Sequence, residues 1–195
     1  MAEAVKKFGG GPFKVPPGGH FLKIDRFTGA RLSDDASGDY VVAEYFRDAG
    51  GADPVLVFFD SASAAGMDRE LGAALPENAL PVELEEIGSI GIDAWLTCLA
   101  YGARRVLLVT GSTTPASIRD TLDQQIGYAV PILEGMGYPG AVIEVLDSGD
   151  VAAVEAAANS DEVISLESPA RFAPTPEKRL LLRAAINHLL EHAPS

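Results

Sequence analysis

The chain has 195 residues, 47% of them hydrophobic and 22% charged, a globular composition with enough apolar mass for one core of ordinary domain size. Its 15 basic and 28 acidic residues leave a formal net charge of −13, which repels nucleic acid and anionic lipid and favours a basic partner. A single cysteine excludes an internal disulfide and a four-thiolate iron–sulfur cluster built from this chain alone, and the lack of about 18 consecutive apolar residues excludes a helical membrane span.

The start, with two lysines and no apolar run behind them, does not read as a secretory signal, so a cytoplasmic location is expected. Residues 1–38 are rich in Gly, Pro and Lys, and form an extended N-terminal β segment distinct from the domain expected over 39–195. Within it Leu22 and Ile24 alternate with polar neighbours ahead of a Gly-bearing turn, which predicts a short β-hairpin or an edge strand.

From residue 39 the pattern is α/β. A helix is predicted over Tyr40 to Asp48, closed by Gly50-Gly51. Pro54 to Phe59 is a short continuous apolar run ending at Asp60, the signature of a buried parallel strand. A helix from Ala64 to Ala74 follows, then a second strand, Leu80 to Leu84, then a helix over Ile92 to Ala103. Arg105 to Thr110 is the third strand. Ile118, Leu122, Ile126, Ala129, Leu133 and Met136 fall at helical spacing, with a kink expected at Pro131. Strands at Ala141 to Leu146 and Val163 to Leu166 flank a helix at Val151 to Ala158. Thr175-Pro176 reads as an N-cap and first helical position, opening a helix to about His192 with Leu182, Ala185, Ile186 and Leu189 inward. Strands alternating with helices predict a doubly wound parallel sheet of about five strands, flavodoxin-like in outline, with helices on both faces.

In such folds sites form outside the carboxyl ends of the strands. Two candidate segments lie there: Gly88, Ser89 and Gly91 after the second strand, and Thr110, Gly111, Ser112 and Thr113 after the third. A hydroxyl- and Gly-rich turn between strand and helix presents backbone N–H groups to an anion, similar to the phosphate loop of flavodoxins. No lysine stands in it, which excludes a Walker-type nucleotide site, and Pro115 departs from the flavodoxin pattern. Ser/Thr capping of the following helix accounts for the same residue types. Cys98, in an apolar helical setting after Trp95, reads as a buried structural thiol. His188 and His192, four apart, offer two imidazoles with no obvious third ligand, so surface placement is expected, and His20 is expected in solvent. No G-x-S-x-G elbow is present, and the chain is not expected to be an enzyme.

Tyr45 to Gly51, Asp53 to Val57, Glu85 to Leu96, Ala100 to Ala103 and Phe172 to Arg179 together resemble the middle region of bacterial multi-cluster 4Fe-4S ferredoxin-type proteins. That region is in turn similar to the delta, iron–sulfur, subunit of methyl-viologen-reducing hydrogenases. The resemblance spans roughly three quarters of the chain and is most specific from Glu85 to Ala103. It implies electron transfer beside an iron–sulfur or other redox partner. In the hydrogenase subunits a cysteine stands near the position of Gly88 and others near the strand ends; here those places hold Gly88, Ser89 and Asp60, so no cluster ligand carries over. The resemblance therefore implies a clusterless docking or scaffold module, with 4Fe-4S clusters only in a longer parent or a partner. A small-molecule domain for phosphate or FMN is the second expectation. Separately, Gly11 to Gly18, Ile24 to Gly29 and Val41 to Phe46 resemble the tail after the transpeptidase domain of class A penicillin-binding proteins, whose catalytic motifs are lacking here, and this implies a related non-catalytic fragment as a third.

Overall fold

The computed structural model describes residues 22–24, 54–60, 74–76, 78–84, 86–172 and 177–194. Its backbone is a mixed α/β arrangement around a parallel sheet. Four strands of five or six residues form the body of the sheet: β2 (Val55–Asp60), β3 (Ala79–Leu84), β4 (Arg105–Thr110) and β5 (Ile143–Asp147). They lie side by side in the order β3-β2-β4-β5, and the three-residue strand β1 (Leu22–Ile24) runs in parallel along the outer edge of β3. The edge-strand reading of Leu22 to Ile24 is thus the one with a partner: Lys23 stands opposite Glu83.

Alternation along each strand divides the core in two. Leu56, Phe58, Leu80, Val82, Leu84, Val106 and Leu108 face one side, while Val55, Val57, Phe59, Leu107 and Val109 face the other. Side chains of period two thus serve both faces, which is why these strands read as unbroken apolar runs. The first face is covered by α1 (Ile92–Ala100), α2 (Ala116–Gly135) and α4 (Lys178–Glu191) through Trp95, Leu96, Leu99, Leu122, Leu133, Ala185 and Leu189. On the second face α3 (Val151–Ala158) contributes Val154, Ala157 and Ala158. Each fully buried large apolar side chain contributes roughly 1.5–3 kcal/mol. No described helix is long and apolar enough to cross a membrane.

Two helices end where glycine permits a left-handed backbone. Gly102 has φ +108°, and the bonds Ala103 N–H to Cys98 O and Gly102 N–H to Leu99 O close α1 in a Schellman turn, three residues short of the predicted Ala103. Gly137, at φ +86°, closes α2 through the equivalent bonds to Leu133 and Glu134. Pro131 lies inside α2, which continues as one helix through it to Gly135.

The apolar run Val163 to Leu166 is not a strand. It is irregular chain in which the Ile164 N–H reaches Arg104 O at 3.0 Å. The acceptor lies just before β4, both of whose edges are already taken by β2 and β5, so the segment cannot pair with that strand. Leu181 is more deeply buried than the expected Leu182 and Ile186, which pack half-buried on the core beside Ala185 and Leu189. The helix predicted at Tyr40 to Asp48, the Thr175-Pro176 cap and nearly all of the helix at Ala64 to Ala74 lie outside the described residues.

An arginine locks the amino end of the sheet. Arg105, 1% exposed, opens β4 and donates to Glu162 O at 2.6 Å and Ala141 O at 2.7 Å, and it pairs with the Glu144 carboxylate on β5. One buried side chain thus ties β4, β5 and the irregular segment together. A buried guanidinium is tolerated when its donors meet acceptors and its charge meets a carboxylate; the Arg105 Nε has no partner among the described residues.

Candidate functional site

The strand order reverses direction between β2 and β4: the chain steps from β2 outward to β3, then returns to the other side of β2 with β4. A crevice outside the carboxyl ends of these two strands is where open parallel sheets place ligands. Here the one-turn helix Ile87–Ser89 lies against β2, β4 and α2 at that point. Ile87 is buried in the core cluster, so this turn packs onto the ends of these strands.

α2 joins the two candidate segments. A Cβ on Gly88 would stand 3.1 Å from the Ile118 side chain, so the loop lies close against the first turns of the helix. Gly91 is buried, and the next N–H, that of Ile92, donates to Gln125 Oε1 at 3.0 Å. Ser89 is half-buried. The glycines therefore serve close packing of the β3–α1 loop on α2.

Further along the edge the polar groups are largely committed to one another. The Thr110 hydroxyl, fully buried, reaches Leu146 O at 3.1 Å and accepts from Arg119 Nη1 at 2.7 Å. The Gly111 N–H, the kind of donor an anion loop would offer, goes instead to the Thr114 hydroxyl at 3.0 Å. Ser112 and Thr113 are exposed. No hydroxyl caps α2: its N-cap is Pro115, without a side-chain cap bond. The capping explanation for the Ser/Thr-rich loop is corrected accordingly, since Thr114 and Thr110 fold the turn rather than cap the helix.

Arg119 organises this edge, and the sequence reading missed it. Its guanidinium binds Thr110 Oγ1 and Gly111 O, and Asp147 Oδ2 lies 3.4 Å away in a solvent-exposed ion pair. Asp147 also accepts the Gly149 N–H at 2.8 Å, and Asp150 caps α3 through the Ala153 N–H at 3.0 Å. The available signal was a cation one turn into the helix that follows a polar strand end. The segments at Thr110 to Thr113 and Asp147 to Asp150 meet through Arg119, whereas Gly88, Ser89 and Gly91 pack against α2 at Ile118 and Gln125.

Cys98 is buried on α1, as the sequence suggested. Burial, helped by the nearby Asp93, pushes its thiol from 9.0 up to about 12, so it is a proton-bearing core residue rather than a thiolate donor.

At the last turn of α4 the structure adds a partner to the two histidines. One donor atom from each of His188, Glu191 and His192 lies within 4.8 Å of the others. The expectation that no third ligand accompanies the histidines is thereby corrected; residues three and four apart share a helix face, and that spacing was legible in the sequence. The imidazoles are half-buried rather than fully solvated, with ring centroids 4.4 Å apart.

These features define a parallel α/β domain whose polar residues line the carboxyl edge of its sheet. No protein-family model, curated protein or solved structure matches the chain.

Proposed function

We propose that the chain is a non-catalytic docking or scaffold module of the ferredoxin-type electron-transfer kind, without a cluster of its own and acting in the cytoplasm. In this reading the sheet is flavodoxin-like in outline: the order β3-β2-β4-β5 has the same pattern, second-first-third-fourth, with the usual ligand crevice turned to structural use. The supporting observation is that, among the described residues of the carboxyl edge, Ile87 is buried against β2 and β4 and the Thr110 and Thr114 hydroxyls are committed within the chain. The enclosed Cys98 thiol supports it as well, since a cluster ligand must be a deprotonated sulfur within reach of iron. With a net charge of −13, the module would meet a redox protein through that protein's basic surface.

The test is anaerobic iron–sulfur reconstitution followed by desalting, with association to a ferredoxin-type protein measured over a range of salt. The expected result is no stoichiometric cluster absorbance and an association that weakens as salt rises. A cluster that stays with the chain through desalting would overturn the reading.

A second reading is favoured by Arg119. Its guanidinium binds Thr110 and Gly111, the residues that lead into the exposed Ser112-Thr113 pair, and a cation so placed suits inorganic phosphate or the phosphate of FMN. Thermal shift with each ligand tests this. Stabilisation that disappears in Ser112→Ala/Thr113→Ala supports it, and stabilisation that persists places the ligand elsewhere.

A further inference from the structure

We propose that the last turn of α4 binds one divalent transition ion of the zinc class, through the imidazoles of His188 and His192 and the carboxylate of Glu191. Two nitrogens and one carboxylate oxygen on a solvent-facing turn form a three-ligand set that leaves a coordination position to water. A tetrahedral ion with bonds of about 2.1 Å holds its donors about 3.4 Å apart. Donors already within 4.8 Å on one turn close on such an ion by side-chain rotation, with the helix backbone in place.

The surroundings prepare the turn for this. His188 Nε2 lies 2.9 Å from Ser168 O. A carbonyl only accepts, so Nε2 is the donor in this contact, and Nδ1 is the nitrogen left to face an ion. Donation of the second ring N–H to a backbone carbonyl is the usual way a ligating imidazole is oriented and made more basic. Phe172 meets the same ring edge-on, with centroids 6.5 Å apart. The backbone of the turn is also held by the Tyr138 hydroxyl, 2.8 Å from both Leu189 O and His192 O. Cation binding also suits a helix C-terminus, where the backbone dipole is negative. The paired imidazoles select a borderline-soft ion over Mg2+ or Ca2+, which prefer all-oxygen sets.

Isothermal titration of the tag-free full-length chain with ZnCl2, in the presence of excess Mg2+, tests the proposal. The expected result is saturable binding of one ion per chain. His192→Ala should weaken it by at least about tenfold, the loss that even an outer-shell partner brings. Glu191→Gln is a surface change that leaves the fold intact and should also weaken binding. His20 is the third and last histidine in the chain, and His20→Ala should bind as tightly as the parent. Non-saturable uptake, or zinc affinity left unchanged by both His192→Ala and Glu191→Gln, would overturn the proposal.

Discussion

The two ends of the β4–β5 pair are each clasped by an arginine, in opposite environments. At the amino end Arg105 is 1% exposed and its guanidinium donates to two backbone carbonyls and a carboxylate. At the carboxyl end Arg119 grips a hydroxyl, a carbonyl and Asp147, with its side chain 30% exposed and that of Asp147 51% exposed. The same chemistry therefore does different work. Away from water, the charge has no substitute for its partners, and the contact is structural. Beside water, solvent can replace any partner, and the contact is exchangeable, as a place of recognition must be.

The contrast breaks most directly at Arg105. Removing its side chain strands Glu162 O and Ala141 O and should cost about 3 kcal/mol in a urea titration. A loss no larger than that of Arg119→Ala would mean the enclosed clasp is not special.

Cys98 sharpens the same point by pH. The native thiol keeps its proton where the unfolded chain loses it, so its contribution is whole below pH 9 and declines as pH climbs from 9 toward about 12. Relative to Cys98→Ala, the parent should lose about 1.4 kcal/mol between about pH 8 and pH 10. Equal slopes for the two proteins would show that the thiol is not shielded.

At the other end, Gly91→Ala pushes a Cβ into Gln125 Oε1 and ends its bond to the Ile92 N–H. The expected cost is about 1 kcal/mol, read as a lower midpoint in thermal melts. Arg119→Ala should be mildest, under about 1 kcal/mol, as exposed pairs are. Its larger effect should be on phosphate binding, if the second functional reading holds.

Much of the fold was legible because core strands announce themselves. Arg105 to Thr110 is apolar on both faces and has the bounds its pattern predicts, as does Val151 to Ala158 with its Asp150 cap. The run at Val163 misled because a short apolar stretch marks burial and not pairing; Ile164 is buried, but its N–H meets Arg104 O outside the sheet. The candidate site was legible by position and not by partnership. Thr110 and Gly111 could be named from their place after a strand, but that Arg119 would occupy them depends on how α2 folds back over its own loop. Glu191 needed only the spacing of one helical turn.

The enclosed indole of Trp95 has a practical consequence. It is the only tryptophan in the chain, none of its surface meets solvent, and its N–H finds no acceptor among the described residues. The helix that bears it packs against both β4 and α4. Its native emission should therefore be blue, and water let in by a loosened α4 would shift it red. The molecule thus carries its own optical gauge of packing, readable in solution without a label while ions or partner proteins are added.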